Sequence, residues 1–318
     1  MSASIRHITA EEVHAALDYP ALVDALRAAF IAGAEVPLRS SHSVTPAGDR
    51  LLVMPAWNAS GDLGVKLVTV FPHNRERGVP SVSALYVLLD GETGHPRALI
   101  DGESLTLRRT AASSALASTY LSRPESHTLL VVGTGALAPY MAAAHCAVRP
   151  IRTVRVWGRS FERARAMASG LAIEGCRCEA VESLEQGLAD ADIVTCATTA
   201  REPVVRGAWV KPGAHVDLVG AFTRGMRECD DALVTRSSVF VDTHAGALKE
   251  ASDLLDPLES GVIEQRHILA ELADLAAKRH PGRLTPDEIT LFKSVGSALE
   301  DLCAARLVVD RHGESATN

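Results

Sequence analysis

The pattern of apolar and polar positions changes along the chain and predicts two domains. Between residues 51 and 99, short β-rich runs are separated by Gly, Asn, Asp and Pro, with no helical segment between them. Such an order predicts a largely antiparallel or mixed sheet. Its runs are residues 51–55, 65–70, 85–89 and 98–100, with a hairpin turn at Asp90-Gly91 before the last. Helical spacing predicts flanking helices over residues 11–31 and 104–121.

From about Glu125 the pattern alternates between short apolar runs and helical segments. This alternation is typical of βαβ units, in which a parallel sheet is covered on both faces. The predicted strands are residues 129–132, 154–157, 193–197, 215–219 and 239–241, and the helices are 139–147 and 161–171. Near the C-terminus, Thr285-Pro286-Asp287-Glu288 resembles a helix start. It predicts an amphipathic helix over residues 285–308 that packs on the first domain.

A glycine-rich turn follows the strand predicted at residues 129–132. Gly133, Gly135 and Ala138 have the spacing G-x-G-x-x-A. The first Gly permits a tight turn, the second lets a pyrophosphate approach the backbone, and Ala138 keeps the helix close to the strand. A plain strand–helix turn could have the same spacing, but its place within a βαβ series favours dinucleotide binding. The residues expected to hold the cofactor in this turn are Gly133, Thr134, Gly135, Ala136 and Leu137.

The end of the next predicted strand indicates which dinucleotide is bound. Enzymes that use NAD usually have an acidic residue there, about 20 residues beyond the glycines. Here the strand continues into Gly158, Arg159 and Ser160, and no carboxylate occurs before Glu162. Arg159 could pair with a 2′-phosphate and Ser160 could offer a hydroxyl, so NADPH is expected, with NADH as a weaker alternative. The competing interpretation is that Arg159 is a solvated loop charge.

Three cations stand out in the first domain. Lys66 lies inside an otherwise apolar run, Arg109 near the start of an Ala-rich helix, and Arg39 just before the first strands. Inward-pointing cations would form a binding place for a carboxylate. The alternative is structural: Lys66 points to solvent or to a fixed acid, and Arg109 supports the fold.

Several segments in the same order along nearly the whole chain resemble the ornithine cyclodeaminase/mu-crystallin family. They are Met54-Pro55, Gly64-Val65-Lys66, Phe71-Pro72 with Asn74, Gly78-Val79-Pro80-Ser81, Asp101-Gly102, Leu105-Thr106, Arg109-Thr110-Ala111-Ala112, the Gly133 motif, Ala197-Thr198-Thr199, Val219-Gly220-Ala221, Arg227-Glu228 with Asp230, and Phe292-Lys293-Ser294-Val295-Gly296.

This resemblance implies an α/β chain with a Rossmann NADP-binding domain over residues 123–287. The second domain, α+β, would serve substrate binding and dimerisation and consist of residues 1–122 with 288–318. The resemblance also implies a homodimer. The residues that it assigns to the substrate are Arg39, Met54, Lys66, Arg109, Phe222 and Gly296, with Lys66 also catalytic. Further cofactor residues that it assigns are Thr110, Ala197, Thr198, Thr199, Val219 and Ser294.

Members of this family catalyse several reactions, and the residue at position 222 helps to choose among them. Cyclodeaminases of the family have an Asp two residues after the glycine that corresponds to Gly220, whereas this chain has Phe222. A phenyl ring cannot bind an amine by charge or move a proton. The segment Val219–Thr223 with Met226-Arg227-Glu228 is similar to bacterial Δ1-pyrroline-2-carboxylate reductases, apart from Arg224, where Pro is common.

The expected activity is therefore NADPH-dependent reduction of a small cyclic ketimine. The substrate would be Δ1-pyrroline-2-carboxylate, or its six-membered homologue Δ1-piperideine-2-carboxylate, giving L-proline or L-pipecolate. The reaction would serve proline metabolism and hydroxyproline degradation. Three alternatives remain open, namely reductive amination of a 2-oxo acid as in alanine dehydrogenases, ornithine cyclodeamination, and NADPH-dependent ligand binding without catalysis.

Composition and charge exclude other classes. The formal net charge of -7 is scattered along the chain, which provides no basic stripe for nucleic acid or anionic lipid. Apolar runs are too short to span a bilayer, and residues 1–10 lack the apolar core of a signal peptide, so a cytoplasmic enzyme is expected. Six cysteines in such a chain are expected to be reduced. Cys176 and Cys178 form an isolated C-x-C, and no metal site is predicted.

Overall fold

The structure, a computed structural model, describes residues 5–315. Residues 1–4 of the polar segment predicted at the N-terminus lie outside this range. The strands are β1 (Arg6–Ile8), β2 (Ser40–Ser43), β3 (Arg50–Trp57), β4 (Asp62–Val70), β5 (Val82–Asp90), β6 (Pro96–Asp101), β7 (Thr128–Val132), β8 (Thr153–Trp157), β9 (Arg177–Ala180), β10 (Ile193–Cys196), β11 (His215–Leu218), β12 (Ser237–Val241), β13 (Ile268–Glu271) and β14 (Ile289–Lys293). The α-helices are α1 (Ala10–Ala16), α2 (Tyr19–Ala32), α3 (Gly102–Leu121), α4 (Ala138–Val148), α5 (Phe161–Gly170), α6 (Leu184–Asp190), α7 (Asp231–Arg236), α8 (His244–Glu250), α9 (Ser252–Glu259), α10 (Leu272–Ala276) and α11 (Ala298–Ser315).

The chain divides into two compact units. Unit 1 comprises residues Met1–Arg109 and Ser297–Asn318, and unit 2 comprises Thr110–Gly296. The sequence placed the boundaries after residues 122 and 287. The first boundary of the units lies earlier, within α3, and the second lies later, after β14.

Unit 1 is built on a six-stranded mixed sheet in the order β1-β6-β5-β4-β3-β2. Strand β1 runs parallel to β6, and every other neighbouring pair is antiparallel. Helix α11 packs on β3, β4 and β5 and contacts α2. Because side chains alternate between the faces of a strand, the residues buried on this face are every second one from 62 to 68 in β4, and Tyr86 and Leu88 in β5. Lys66 is among them, which makes the buried face of this sheet the first candidate region.

Unit 2 contains an eight-stranded sheet in the order β13-β12-β14-β11-β10-β7-β8-β9, and all its neighbouring strands are parallel. Its central strands are buried on both faces, as the all-apolar strand β7 illustrates. In chain order, β8 and β9 follow on one side of β7, and the chain then crosses so that β10 and β11 lie on the other side of β7. This reversal next to β7 is the position at which open α/β sheets bind their ligands.

The predicted α/β fold class is confirmed, and so is the mixed sheet with its hairpin at Asp90-Gly91. Two predicted helices were wrong in detail. The helix predicted over residues 11–31 is interrupted because Asp18 caps a new helix, with its side chain accepting a hydrogen bond from the amide of Ala21. The helix predicted over residues 285–308 begins only at Ala298, as α11, which packs on the sheet of unit 1 as expected. Thr285 and Glu288 do exchange the hydrogen bonds of a helix start, but residues 289–293 pair with β11 and β12 as β14 instead of continuing as a helix.

None of the helices within residues 5–315 combines the length and apolar character needed to cross a bilayer.

Candidate functional site

The glycine-rich turn after β7 is tightly packed at its first glycine and open at its second. Gly133 has a φ of 121°, and a Cβ added there would lie 2.6 Å from the carbonyl oxygen of Ala197. A Cβ added at Gly135 would meet no heavy atom within 4 Å. The turn therefore needs its first glycine for conformation and close approach, and its second leaves the backbone accessible. These features fit a dinucleotide pyrophosphate, which needs backbone amides that it can reach.

The turn after β8 contacts the glycine-rich turn. A Cβ added at Gly158 would lie 2.8 Å from the side-chain methyl of Thr134, so a larger residue would crowd the turn. Arg159 is exposed, and the Ser160 hydroxyl accepts the backbone N–H of Arg163 at 3.3 Å as the N-cap of α5. The Ser160 hydroxyl therefore has a capping role that the sequence did not predict, while its own hydrogen remains available for donation.

The turns after β10 and β11 lie on the other side of β7, and one buried carboxylate joins them. Glu228 accepts hydrogen bonds from the amide and hydroxyl of Thr198, at 2.7 and 2.9 Å. Its second oxygen accepts the amides of Gly220 and Ala221, at 2.8 and 3.1 Å. The predicted cofactor residues Ala197 and Val219 lie in the same two turns, with Ala197 half-buried and Val219 buried.

The other predicted cofactor residues of unit 2 differ in exposure. Ser294 is buried, Thr110 and Leu137 are half-buried, and Ala136 and Thr199 are exposed. The amide of Ser294 donates to the carbonyl of Leu218, so the segment after β14 is tied to the end of β11. That these five residues contact the cofactor stays a prediction.

In unit 1, the predicted cations meet around an acid of α11. The ammonium of Lys66 lies 2.8 Å from the carboxylate of Asp301 and 3.4 Å from the hydroxyl of Thr106. The Nε of Arg109 lies 2.8 Å from the same carboxylate, and its Nη1 lies 2.5 Å from Glu300. All four charged groups are buried.

The charged groups of this cluster shift one another's pKa values. Burial and the charge of Arg109 lower the pKa of Lys66 to about 8, although Asp301 opposes this effect. Burial would raise the pKa of Asp301, but Arg109 and Lys66 together hold it below its usual value. The charge of Arg39 lowers both pKa values, which places this third predicted cation near the other two.

Three more residues were predicted to contact the substrate. Met54 is buried directly beside Lys66, because the two residues are paired between β3 and β4. In unit 2, Phe222 is 36% exposed at the end of the turn after β11. Gly296, with a φ of 84°, donates its amide to the carboxylate of Asp242. The cations and Met54 are therefore brought together in unit 1, and Phe222 and Gly296 belong to unit 2.

The acids that hold these groups were not predicted from the sequence. Glu300 and Asp301 lie in the first turn of α11, where acidic residues are common for electrostatic reasons alone. Glu228 and Lys293 lie within segments that carried the family resemblance, but no role was assigned to them. Lys293, which ends the apolar run 289–292, carried the same signal that identified Lys66, whereas Glu228 lies among other charged residues and gave no such signal.

No group of three His, Cys, Asp or Glu side chains suited to a metal ion occurs in the part of the chain that the structure describes.

Comparisons with known proteins agree with this architecture. Residues 5–316 match the model of the ornithine cyclodeaminase/mu-crystallin family. A Δ1-pyrroline-2-carboxylate reductase of Colwellia psychrerythraea is 38% identical, over 96% of this chain and 98% of that protein. The solved Δ1-pyrroline-2-carboxylate reductase of Thermococcus litoralis, in complex with NADH and L-proline, has a TM-score of 0.94 at 35% identity and covers 98% of both chains. An archaeal alanine dehydrogenase dimer with bound NAD has a TM-score of 0.91 at 27% identity, over 98% of this chain and 97% of that one. The chain belongs to the ornithine cyclodeaminase/mu-crystallin family.

Proposed function

We propose that this protein is an NAD(P)H-dependent reductase of small cyclic ketimines, with Δ1-pyrroline-2-carboxylate as the main substrate and NADPH as the preferred cofactor. The observation that carries the proposal is the buried cluster of Lys66 and Arg109 with Arg39 nearby. Relatives named Δ1-pyrroline-2-carboxylate reductase support the substrate class, since the matched relative from Colwellia spans nearly the whole chain.

The cation cluster suits a carboxylate better than it suits a neutral group. Burying an ammonium and a guanidinium is costly unless anions accompany them. Asp301 and Glu300 partly meet this need, yet burial, and after it the charge of Arg109, still lowers the pKa of Lys66 and so disfavours its ammonium form. A substrate carboxylate would relieve this imbalance, and Arg109 could offer it a planar pair of donors.

The bound nicotinamide would supply a hydride, so the chain itself has to orient the imine and provide a proton at its nitrogen. Lys66 is our candidate for the proton donor, because an ammonium with a pKa of about 8 can give up a proton near neutral pH. Phe222 is exposed and apolar, and we assign it to contact with the flat ring of the substrate. A phenyl ring at this position also supports ketimine reduction over ornithine cyclodeamination, for which an acid would be needed.

Cofactor choice rests on the turn after β8. No acidic residue stands at Gly158, where a side chain would press on Thr134, and Arg159 is exposed beside it. The relative from Thermococcus litoralis was solved with NADH, so the family does not dictate NADPH. Our preference for NADPH depends on Arg159 pairing with the 2′-phosphate.

We further propose that two copies of this chain associate through the open face of the sheet of unit 1. This face presents three rows of apolar side chains, which are Val53, Leu67 and Leu85; Pro55, Val65 and Val87; and Trp57, Leu63 and Leu89. All are half-buried or exposed, and Trp57 is 41% exposed. Contiguous apolar surface of this kind marks an interaction site. An archaeal relative described as a dimer supports a second copy as the partner.

A substrate panel tests the proposed activity. Oxidation of NADPH should be fast with Δ1-pyrroline-2-carboxylate or Δ1-piperideine-2-carboxylate, and slow with pyruvate plus ammonia. NADH should be about 10- to 100-fold less effective, or about 1.4 kcal/mol for each factor of ten. Arg159→Ala should remove most of this difference. Faster turnover of pyruvate, or ammonia release from L-ornithine with NAD, would contradict the proposal, and equal use of both cofactors would contradict the cofactor assignment.

Carboxylate binding should weaken as the pH rises through about 8. Lys66 is an ammonium below its pKa of about 8 and a neutral amine above it, so its attraction for an anion is lost in that direction. Pyrrole-2-carboxylate is a useful probe because it resembles the substrate in shape and has no basic nitrogen. Its inhibition constant should rise above pH 8 in the native protein and stay level in Lys66→Arg, whose guanidinium keeps its charge. The same pH dependence in both proteins would assign the titration to another group.

A further inference from the structure

The buried carboxylate of Glu228 is the hub of a hydrogen-bond network in unit 2. Its two oxygens accept four hydrogen bonds, two from Thr198 and one each from the amides of Gly220 and Ala221. Three of the four donors are backbone amides, and all four belong to the turns that follow β10 and β11. A single side chain therefore sets the spacing between these two turns.

The network requires Glu228 to be ionised. A carboxylate can accept at both oxygens, whereas a carboxamide accepts at one atom and donates at the other. In Glu228→Gln the amide nitrogen would therefore face two donors, either those of Thr198 or those of Gly220 and Ala221. The buried ammonium of Lys293 lies 3.8 Å from Glu228 and 3.0 Å from Asp253, and supplies the compensating positive charge.

Two further contacts fix the position of Glu228. Asp253 accepts the backbone amides of Glu228 and Cys229, at 2.7 and 3.0 Å, and so holds the segment that carries the carboxylate. A Cβ added at Gly220 would lie 2.0 Å from the carbonyl oxygen of Thr198 and 2.5 Å from Glu228. The two turns are therefore packed as closely as a glycine backbone allows.

This network lies at the turns after β10 and β11, on the side of β7 opposite to β8. The glycine-rich turn after β7 and the turn with Arg159 after β8 are the proposed binding places of the pyrophosphate and of the adenosine phosphate. Strands β10 and β11 lie on the opposite side of β7. A dinucleotide that crosses the reversal next to β7 extends its other half toward the turns after these strands.

We propose that Glu228, ionised and paired with Lys293, is a positioning residue that shapes the nicotinamide half of the cofactor site. It does so by holding Thr198, Gly220 and Ala221, without touching substrate. This inference rests on the proposed function only in requiring a nicotinamide cofactor.

The test uses the whole protein and the variant Glu228→Gln. We would measure the affinity for 2′,5′-ADP, which represents the adenosine half, and for NADPH, together with the change in NADPH fluorescence on binding. We expect 2′,5′-ADP affinity within about twofold of the native protein and NADPH affinity about 10-fold weaker, with a reduced fluorescence change. Turnover should fall by about 10- to 100-fold, as is typical when a reacting group is displaced by about 1 Å.

Asp192→Asn is a matched control. Asp192 is also buried, accepts the backbone amides of His127 and Thr128, and pairs with Lys211, but it lies before β10, at the opposite end of the strands. This variant should lose thermal stability and keep the native fluorescence change. If Glu228→Gln does not fold, Thr198→Val removes one of the four donors and should shift the same measurements in the same direction by a smaller factor.

Native NADPH affinity and fluorescence in folded Glu228→Gln, or in Thr198→Val where it replaces that variant, would overturn the inference. So would equal losses of 2′,5′-ADP and NADPH affinity, because they would indicate general loosening. Failure of the native protein to bind any nicotinamide would instead contradict the proposed function.

Discussion

Replacing Lys66 or Arg109 with methionine should lower kcat/KM for the cyclic ketimine by about 30- to 1,000-fold, or about 2–4 kcal/mol of transition-state stabilisation. Methionine keeps most of the side-chain volume but removes the charge. The substrate carboxylate would then lose one of its cations in a buried place where water cannot replace it. The affinity for pyrrole-2-carboxylate should fall along with catalysis.

Both variants also disturb Asp301, which pairs with the two cations, so stability has to be measured separately. Arg108→Met is a suitable control because Arg108 precedes Arg109 in α3, yet its guanidinium donates to the carbonyl of His14 and stacks over Tyr19. It should change Tm with little effect on kcat/KM. If Lys66→Met or Arg109→Met is folded, binds NADPH and keeps near-native kcat/KM, that residue serves the fold alone.

Introducing a charge on the open sheet face of unit 1 should convert the proposed dimer into a monomer. Val87 lies in the middle of the three apolar rows, paired with Val65 of the neighbouring strand. In Val87→Glu, association would bury a carboxylate without a partner, twice per dimer if the interface is symmetric. Light scattering during size-exclusion chromatography should give twice the mass of one chain for the native protein and the mass of a single chain for this variant.

Val262→Glu provides the comparison, since Val262 is 44% exposed and belongs to unit 2. This variant should keep the native mass. A native protein that is monomeric at micromolar concentration, or a Val87→Glu variant with unchanged mass, would remove the sheet face as the site of association.

Much of the fold was predictable because its signals are local. Strand β7, the turn at Gly133 and helix α4 follow from an apolar run, a glycine spacing and a helical pattern that are contiguous in sequence. The three cations were also recognisable one by one, since a charge inside an apolar segment is unusual wherever the segment packs. The predicted NADPH preference, the ketimine substrate and the roles of the site residues stay predictions.

What escaped prediction depends on contacts between distant segments. Nothing near Lys66 indicates that Asp301, 235 positions later, is its partner. The segment at Thr285 has the residues of a helix start, but the following apolar residues pair with β11 and β12, and this tertiary pairing overrides the local preference. Acids such as Glu228 could be noticed in sequence, but only the fold reveals that two turns converge on its oxygens.

The position of β14 has a consequence for biosynthesis. This strand lies between β11 and β12, which precede it by many residues, so until residue 293 has left the ribosome these two strands lack the neighbour that separates them. Helix α11, which covers the sheet of unit 1 and carries Asp301, is made later still. A nascent chain that has emerged only to about residue 285 would expose unpaired strand edges in one unit and an uncovered apolar face in the other, and both are surfaces that chaperones shield from aggregation. Folding of both units therefore depends on segments that are synthesised after residue 285.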